Sequence, residues 1–464
     1  MNDREKTNQQ LDELFNPRSI AIVGLPREFK TGKLYLMALQ DQNYPGKIYP
    51  VNPKTDNIDG LKCYPSISDI PGEIDLVIIL IPNHHTLPVI KECAEKRVKG
   101  IILFTAGYSE SGTDEGIQLE KEIVKIAKSA GMRLIGPNGM GLYSPKSGVS
   151  FFPELSKKPG HLSLISHSGS LANIICNITP QLGVNFNKAV SLGNECDLSS
   201  IDFLDYYSQD EDTHIISAYI EGIKDGPRFF SALKRAALKK PVVVWKMGLN
   251  QEGLDAANSH TGALAGSSDV WKGVAAQCGA ISVTGIEAWV DTIMGFTHLP
   301  KRLGNKIAII SGPGGLGVAA AEACGSENLK LSQLTAETKD KLSKFVPTTG
   351  TSLNNPIDVG MTASLDIDIY INAARVVASD PGVDAIVVIG IGLSTEANEQ
   401  YSKAMIQIKK DSRKPFLMVK VPSFMTDFSE LFCQAGIPYF DSSERALSTY
   451  AKVMNYYQWQ KKQS

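Results

Sequence analysis

Short, uninterrupted apolar runs of strand length recur along this chain, each followed by a segment with helical spacing. SIAIVG, IDLVIILIP and GIILFTAG come first, HLSLISHSG, THIISAYIEG and KPVVVWKMG next, and KIAIISGPGG, DAIVVIGIG and KPFLMVKVP last. A run that is apolar at every position, rather than at every second one, suits a strand covered on both faces. Such strands alternating with helices specify parallel sheets, so the expected fold class is α/β with doubly wound parallel sheets.

A chain of 464 residues is more than one hydrophobic core organises. Two breaks, GPNGMGLYSPKSG at 136–148 and HLPKRLGNK at 298–306, divide it. The expected units are 1–142, 143–300 and 301–464. The second and third each run a strand into a Ser/Gly loop and a helix, in ISHSGSLANIIC and ISGPGGLGVAAAEAC, which predicts related folds.

Charge and cysteine usage remove several function classes. Lys and Arg number 47 against 49 Asp and Glu, a formal charge of -2 without a long run of one sign, which disfavours a nucleic-acid partner. The seven cysteines are scattered, with no CxxC pair or nearby His spacing for zinc, so reduced buried thiols and no metal site are expected. The start, MNDREKTNQQ, lacks a signal-peptide core, and no apolar stretch reaches bilayer length. A cytoplasmic protein without a membrane partner is the expectation.

In the first unit, SIAIVGLPREFKTGK places Gly24 at a strand end and Gly32 ahead of a helical segment, where backbone can approach a pyrophosphate. An ordinary tight turn reads the same way, and the GxGxxG dinucleotide fingerprint is absent. The next strand ends in Asn52, Pro53 and Lys54, putting an amide and a cation at the sheet edge where ligands bind. This edge offers no acidic ribose ligand, which weakens a reading as an NAD-dependent dehydrogenase.

NSHTGALAG at 258–266 is the sharpest signal. His260 lies among small residues ahead of a helical run, and a neutral imidazole is a good phosphoryl acceptor whose phosphoramidate can pass the group on. Glu221 ends the strand IISAYI and is placed to orient one ring nitrogen. Ser166, Ser168, Gly169 and Ser170 open a helix whose free N–H groups can receive phosphate, although a serine N-cap accounts for them equally. Gly312, Gly314, Gly315 and Gly317 repeat the device, and two such helix starts can share one phosphate.

Taken in order, LFNPRSIAIVG, GKIYPVNPK, IGPNGMG, VSLGNECD, IEGIKDG, SHTGALAG, NNPIDV and SSERALSTYAKVMNYYQW resemble the α subunits of ADP-forming acetyl-CoA synthetases, in the superfamily that includes succinyl-CoA synthetase. The resemblance runs from Leu14 to about Trp459. It implies a Rossmann-like CoA-binding domain followed by two flavodoxin-like ligase domains. It further implies His260 as the phosphorylated residue, Glu221 as its orienting carboxylate, and Ser168–Ser170 and Gly314–Gly317 as phosphate-receiving helix starts. CoA is expected against Gly24, Gly32, Lys33, Asn52, Pro53, Lys54, Pro82 and Asn138.

With all three units accounted for, no ATP-grasp segment remains. An ATP-grasp β subunit carrying ATP/ADP and Mg2+ is therefore the expected partner, in a hetero-oligomer acting on a small carboxylic acid. His167 stands where Gln or Arg is common in the family, Gly139 where Cys is frequent, and Leu25–Pro26 where Ala-Ser is frequent, which leaves the identity of the acid open. The alternative is a CoA or acyl-CoA binding or regulatory module without ligase turnover. His260 and Glu221 weigh against it, because a binding module needs neither.

Overall fold

The computed structural model describes residues 3–254, 267–422 and 427–463. It forms two compact units, Met1–Pro180 with Asn185–Thr284, and Gln181–Val184 with Gly285–Ser464. Among the described residues no helix is long and apolar enough to cross a membrane.

The first unit holds two large sheets, besides a two-stranded pair of Asn57–Ile58 with Leu61–Lys62. One is built from β1 (Ser19–Val23), β2 (Lys47–Val51), β3 (Leu76–Ile79), β4 (Gly100–Leu103) and β5 (Arg133–Ile135), in the order β2-β1-β3-β4-β5. Every residue of β1, β3 and β4 is buried, as continuous apolar runs require. The second is built from β6 (Gly141–Tyr143), β7 (Leu162–Ser166), β8 (Phe186–Ser191), β9 (Ile215–Ile220), β10 (Val242–Lys246) and β11 (Ile281–Val283). Its order is β11-β10-β9-β7-β8-β6, with only β6 antiparallel.

The loop after β8 stitches the two sheets together. The amides of Asn194, Cys196 and Leu198 donate to the carbonyls of Pro137, Gly136 and Leu134 at 2.9, 3.1 and 3.2 Å. The Arg133 guanidinium pairs with the Asp197 carboxylate at 2.9 Å. This approach demands a glycine at position 193: its φ is +58°, and a Cβ there would lie 2.0 Å from the Pro137 carbonyl oxygen.

The second unit is built on β12 (Lys306–Ser311), β13 (Lys330–Leu331), β14 (Ile357–Asp358), β15 (Ala385–Ile389), β16 (Phe416–Val419) and β17 (Tyr439–Phe440). The order is β13-β12-β15-β16-β17, and β14 pairs with the end of β12. The helix Ile286–His298 belongs to this unit, where Asp291 forms a two-pronged pair with Arg445 of the helix Ser443–Gln463 at 2.6 and 2.9 Å.

The three larger sheets share one plan, in which the first parallel strand lies between its successor and a later strand: β2 and β3, β8 and β9, or β13 and β15. The chain crosses over between the first strand and that later one, and the carboxyl ends there form the crevice in which such sheets bind ligands. The crossing points are β1/β3, β7/β9 and β12/β15.

Candidate active site

At the first crossing, Gly24 follows β1 with φ +82°, and a Cβ there would meet Ile81 Cγ2 at 2.5 Å. Gly32 caps the helix Lys33–Asp41, close against Leu80 and Pro26. Asn52 is absorbed in building the turn: its Nδ2 donates to the Leu25 carbonyl at 3.0 Å and its Oδ1 accepts from the Lys54 amide at 3.0 Å. Lys33 is also engaged, buried with its ammonium 2.7 Å from Asp59. Lys54, Pro53 and Pro82 are exposed at the edge. Asn138, half-buried with φ +57°, donates its amide to the Thr105 carbonyl. Of these residues Lys54 has a free ammonium, whereas the Asn52 and Lys33 side chains are bonded within the unit.

At the second crossing, three buried strands end in polar residues at one edge. His167 follows β7, Glu221 follows β9, and Lys246 ends β10. All three are at least nine-tenths buried. The Lys246 ammonium donates to the carbonyls of Glu221 and Met247 at 2.8 and 2.5 Å. Burial lowers its pKa to about 8, against the opposing pull of the Glu221 carboxylate. Burial, together with the neighbouring Glu221 carboxylate, raises the Tyr219 phenol above its ordinary value.

Beside them, Ser168 caps the helix Gly169–Ile178, its Oγ accepting from the Leu171 amide at 3.4 Å and lying 3.2 Å from Ser170 Oγ. Ser168 and Gly169 are half-buried and Ser170 is exposed. Gly169 is held close to Met140, where a Cβ would lie 2.7 Å from Met140 Cγ. Gly139 is excluded from carrying a side chain by the Ser191 carbonyl, 2.7 Å from where its Cβ would stand. His260 lies outside the described residues, in the segment that follows the helical turn at 251–254.

Glu195 and Lys224 complete this edge. The Glu195 carboxylate accepts from His167 Nε2 at 3.0 Å and from the Ser200 amide at 2.6 Å. Burial opposes its charge, yet the hydrogen bonds from His167 Nε2 and the Ser200 amide favour the carboxylate, and its carboxyl lies below the ordinary value. The Lys224 ammonium donates to the carbonyls of Asn194 and Glu195 at 2.6 and 3.0 Å. Glu195, Lys224 and Lys246 were not singled out from the sequence, although the segments containing them were. A signal existed for Lys246, the first charged residue after the apolar run PVVVW.

At the third crossing, Gly312 sits under Tyr370, whose Oη would lie 1.9 Å from a Cβ. Gly314 begins the helix Gly314–Ser326 with Asp358 Oδ2 2.3 Å from where its Cβ would stand. A carboxylate therefore already faces this helix start. Gly315 is open, whereas Gly317 is buried against Ser311 and serves helix-to-strand packing. Among the described residues there is no group of three His, Cys, Asp or Glu that could hold a metal ion.

Three family models match the chain: a CoA binding domain over 18–145, a succinyl-CoA ligase like flavodoxin domain over 159–296, and a ligase-CoA domain over 307–409. The chain is 35% identical over 452 residues to the alpha subunit of ADP-forming acetate–CoA ligase II of Pyrococcus furiosus, a match covering 96% of this chain and 97% of that one. It is 40% identical over 352 residues to the ADP-forming acetate–CoA ligase of Methanocaldococcus jannaschii, covering 75% of this chain and 49% of that protein. The solved dinucleotide-forming acetyl-coenzyme A synthetase 1 of Candidatus Korarchaeum cryptofilum, in complex with phosphate and ADP, superposes with a TM-score of 0.85 at 30% identity, covering 97% of each chain. With matches of this extent, the chain belongs to the family of ADP-forming acetate–CoA ligase alpha subunits, which are acid–thiol ligases.

Proposed function

We propose that this chain is the CoA-binding, phosphoryl-carrying subunit that interconverts a carboxylic acid, CoA and ATP with acyl-CoA, ADP and phosphate. The observation that carries the reading is the second crossing point, where a buried carboxylate, Glu221, stands at the sheet edge beside the Ser168–Ser170 helix start. In the synthetic direction, an imidazole nitrogen of His260 takes the terminal phosphoryl group from ATP and releases ADP. Glu221 orients the ring and balances the positive charge that develops on it. The phosphohistidine then passes its phosphoryl group to the substrate carboxylate, giving acyl phosphate and the free imidazole.

The Ser168 and Ser170 hydroxyls and the helix N–H groups hold the phosphate during this exchange. CoA supplies the thiol that takes the acyl group and releases phosphate. The Gly24 turn, which leaves no room for a side chain, and the free cation of Lys54 fit its phosphates. At the third crossing, a phosphate reaching Gly314 and Gly315 must share the helix start with Asp358, so a bound cation or displacement of that carboxylate accompanies it.

The nucleotide and its Mg2+ belong on a separate ATP-grasp β subunit, and the small acid comes to the assembled hetero-oligomer. Support comes from the contrast between the Pyrococcus alpha subunit, matched over nearly its whole length, and the Methanocaldococcus ligase, matched over 49% of its own. Incubation with labelled ATP, Mg2+ and the partner, followed by peptide mapping, tests the reading. An acid-labile, base-stable label on His260 is expected, and His260→Ala should abolish ligase turnover while CoA still binds. A stable label on Ser168 or Ser170, with His260→Ala active, assigns the carrier elsewhere.

A further inference from the structure

The strand β9 ends its ladder at Ile220, so the peptide groups of the next residue, Glu221, need partners from outside the sheet. Both are captured by side chains from the two flanking strands. Its N–H donates to His167 Nδ1 at 3.2 Å, and its carbonyl accepts from Lys246 Nζ at 2.8 Å. Glu221 is 7% exposed, which makes an unpartnered amide there costly.

The imidazole is specified from its other side as well. A nitrogen that accepts a backbone N–H carries no proton, so Nδ1 is bare and Nε2 is the protonated atom. Nε2 faces Glu195 Oε1 at 3.0 Å, an acceptor pinned by the Ser200 amide. The Glu195 backbone, at φ +53°, is tied by its carbonyl to Lys224 of the segment that carries Glu221. Its neighbours Asn194 and Cys196 bond the Pro137 and Gly136 carbonyls at the end of the first sheet. Hydrogen bonds joined by the 194–196 backbone thus link that edge through the Glu195 side chain and His167 to the backbone of Glu221.

We propose that His167 is a positioning residue, which as the neutral Nε2–H tautomer locks the Glu221 backbone to the loop joining the two sheets. For the catalytic consequence this rests on the role proposed for Glu221; the hydrogen-bonding arrangement does not. A leucine fills a similar volume but leaves the Glu221 amide without its acceptor and removes one of the donors to the Glu195 carboxylate, whose bond from the Ser200 amide remains. A glutamine offers Oε1 to the amide and Nε2 to the carboxylate, so it preserves both contacts.

The test uses the full chain. Imidazole nitrogen NMR of histidine-labelled protein, with the His167 signals assigned by their loss in His167→Gln, should show Nδ1 unprotonated and Nε2 protonated. With the partner subunit added, His167→Leu should lower kcat roughly 10- to 100-fold, the range seen when a hydrogen-bonded orienting partner is lost. The KM for CoA should stay within about twofold, and His167→Gln should recover most of the rate. An Nδ1–H tautomer or a charged ring overturns the proposal, as does a His167→Leu enzyme with normal kcat or a His167→Gln enzyme no faster than His167→Leu. Absence of turnover in the unmutated assembly, with the Nε2–H tautomer present, counts against the proposed function and leaves the locked backbone standing.

Discussion

The loops that open the helices Gly169–Ile178 and Gly314–Ser326 follow one backbone scheme with opposite side-chain content. In the first, Ser166 Oγ donates to the Ser168 carbonyl at 2.7 Å and the His167 amide to the Tyr219 carbonyl at 3.1 Å. In the second, Ser311 Oγ donates to the Pro313 carbonyl at 2.8 Å and the Gly312 amide to the Ile389 carbonyl at 3.2 Å. Register makes His167 the counterpart of Gly312 and Glu221 the counterpart of Ile391, since Ser166 pairs with Tyr219 and Ser311 with Ile389. One sheet places an imidazole and a carboxylate at its crossing point; the other places a glycine under Tyr370 and a buried isoleucine. The shared strand–loop–helix geometry provides a location, and side chains at these two positions decide whether an imidazole and a strand-end carboxylate meet there.

The comparison breaks most visibly at Glu221. Glu221→Gln keeps the shape but cannot balance charge on the ring, so acyl-CoA formation with the partner subunit should fall by about 10²-fold with an unchanged unfolding midpoint. A rate within about threefold of the unmutated chain removes the carboxylate from the mechanism.

Gly312→Ala addresses the other loop through stability. The added methyl meets Tyr370 Oη at 1.9 Å, which the buried ring can relieve only by shifting. The cost should be about 1–3 kcal/mol in urea unfolding of the second unit. An unchanged midpoint shows that Tyr370 moves freely and that glycine is not required by packing.

The smallest effect is on acid sensitivity. Because the folded state holds Glu195 below its ordinary value of 4.5, its contribution is complete above that pH and is lost as pH falls through the depressed value. The glycine loop contains no histidine–carboxylate pair. Amide exchange, corrected for its intrinsic pH dependence, should therefore accelerate at 193–200 before it does at 312–317 as pH is lowered below 4.5. Simultaneous loosening of the two segments contradicts a special role for the His167–Glu195 contact in acid.

Much of the fold was legible because burying every position of a strand leaves an unmistakable trace. The runs SIAIV, LSLIS and KIAIIS became β1, β7 and β12 within a residue or two. The candidate site was partly legible for the same reason: a polar residue directly after a buried run marks the carboxyl edge, which is where Glu221 stands. Function-bearing segments such as VSLGNECD and IEGIKDG could be selected as units, yet the job of each member within them could not. Asn52 and Lys33, expected against CoA, are bonded to Leu25, Lys54 and Asp59, and Gly317 packs on Ser311.

What the sequence alone determined is the set of strands, their parallel character and the polar residues that terminate them, because these follow from local periodicity and from the requirement that a buried strand be apolar. Only the tertiary structure decided who meets whom. His167 finds Glu195 across 28 positions and the Glu221 amide across 54, encounters created by strand order and register rather than by neighbourhood in the chain. The imidazole tautomer depends on both encounters at once, and no local pattern encodes it: a hydrogen bond is set by distances that exist only after the sheets have closed.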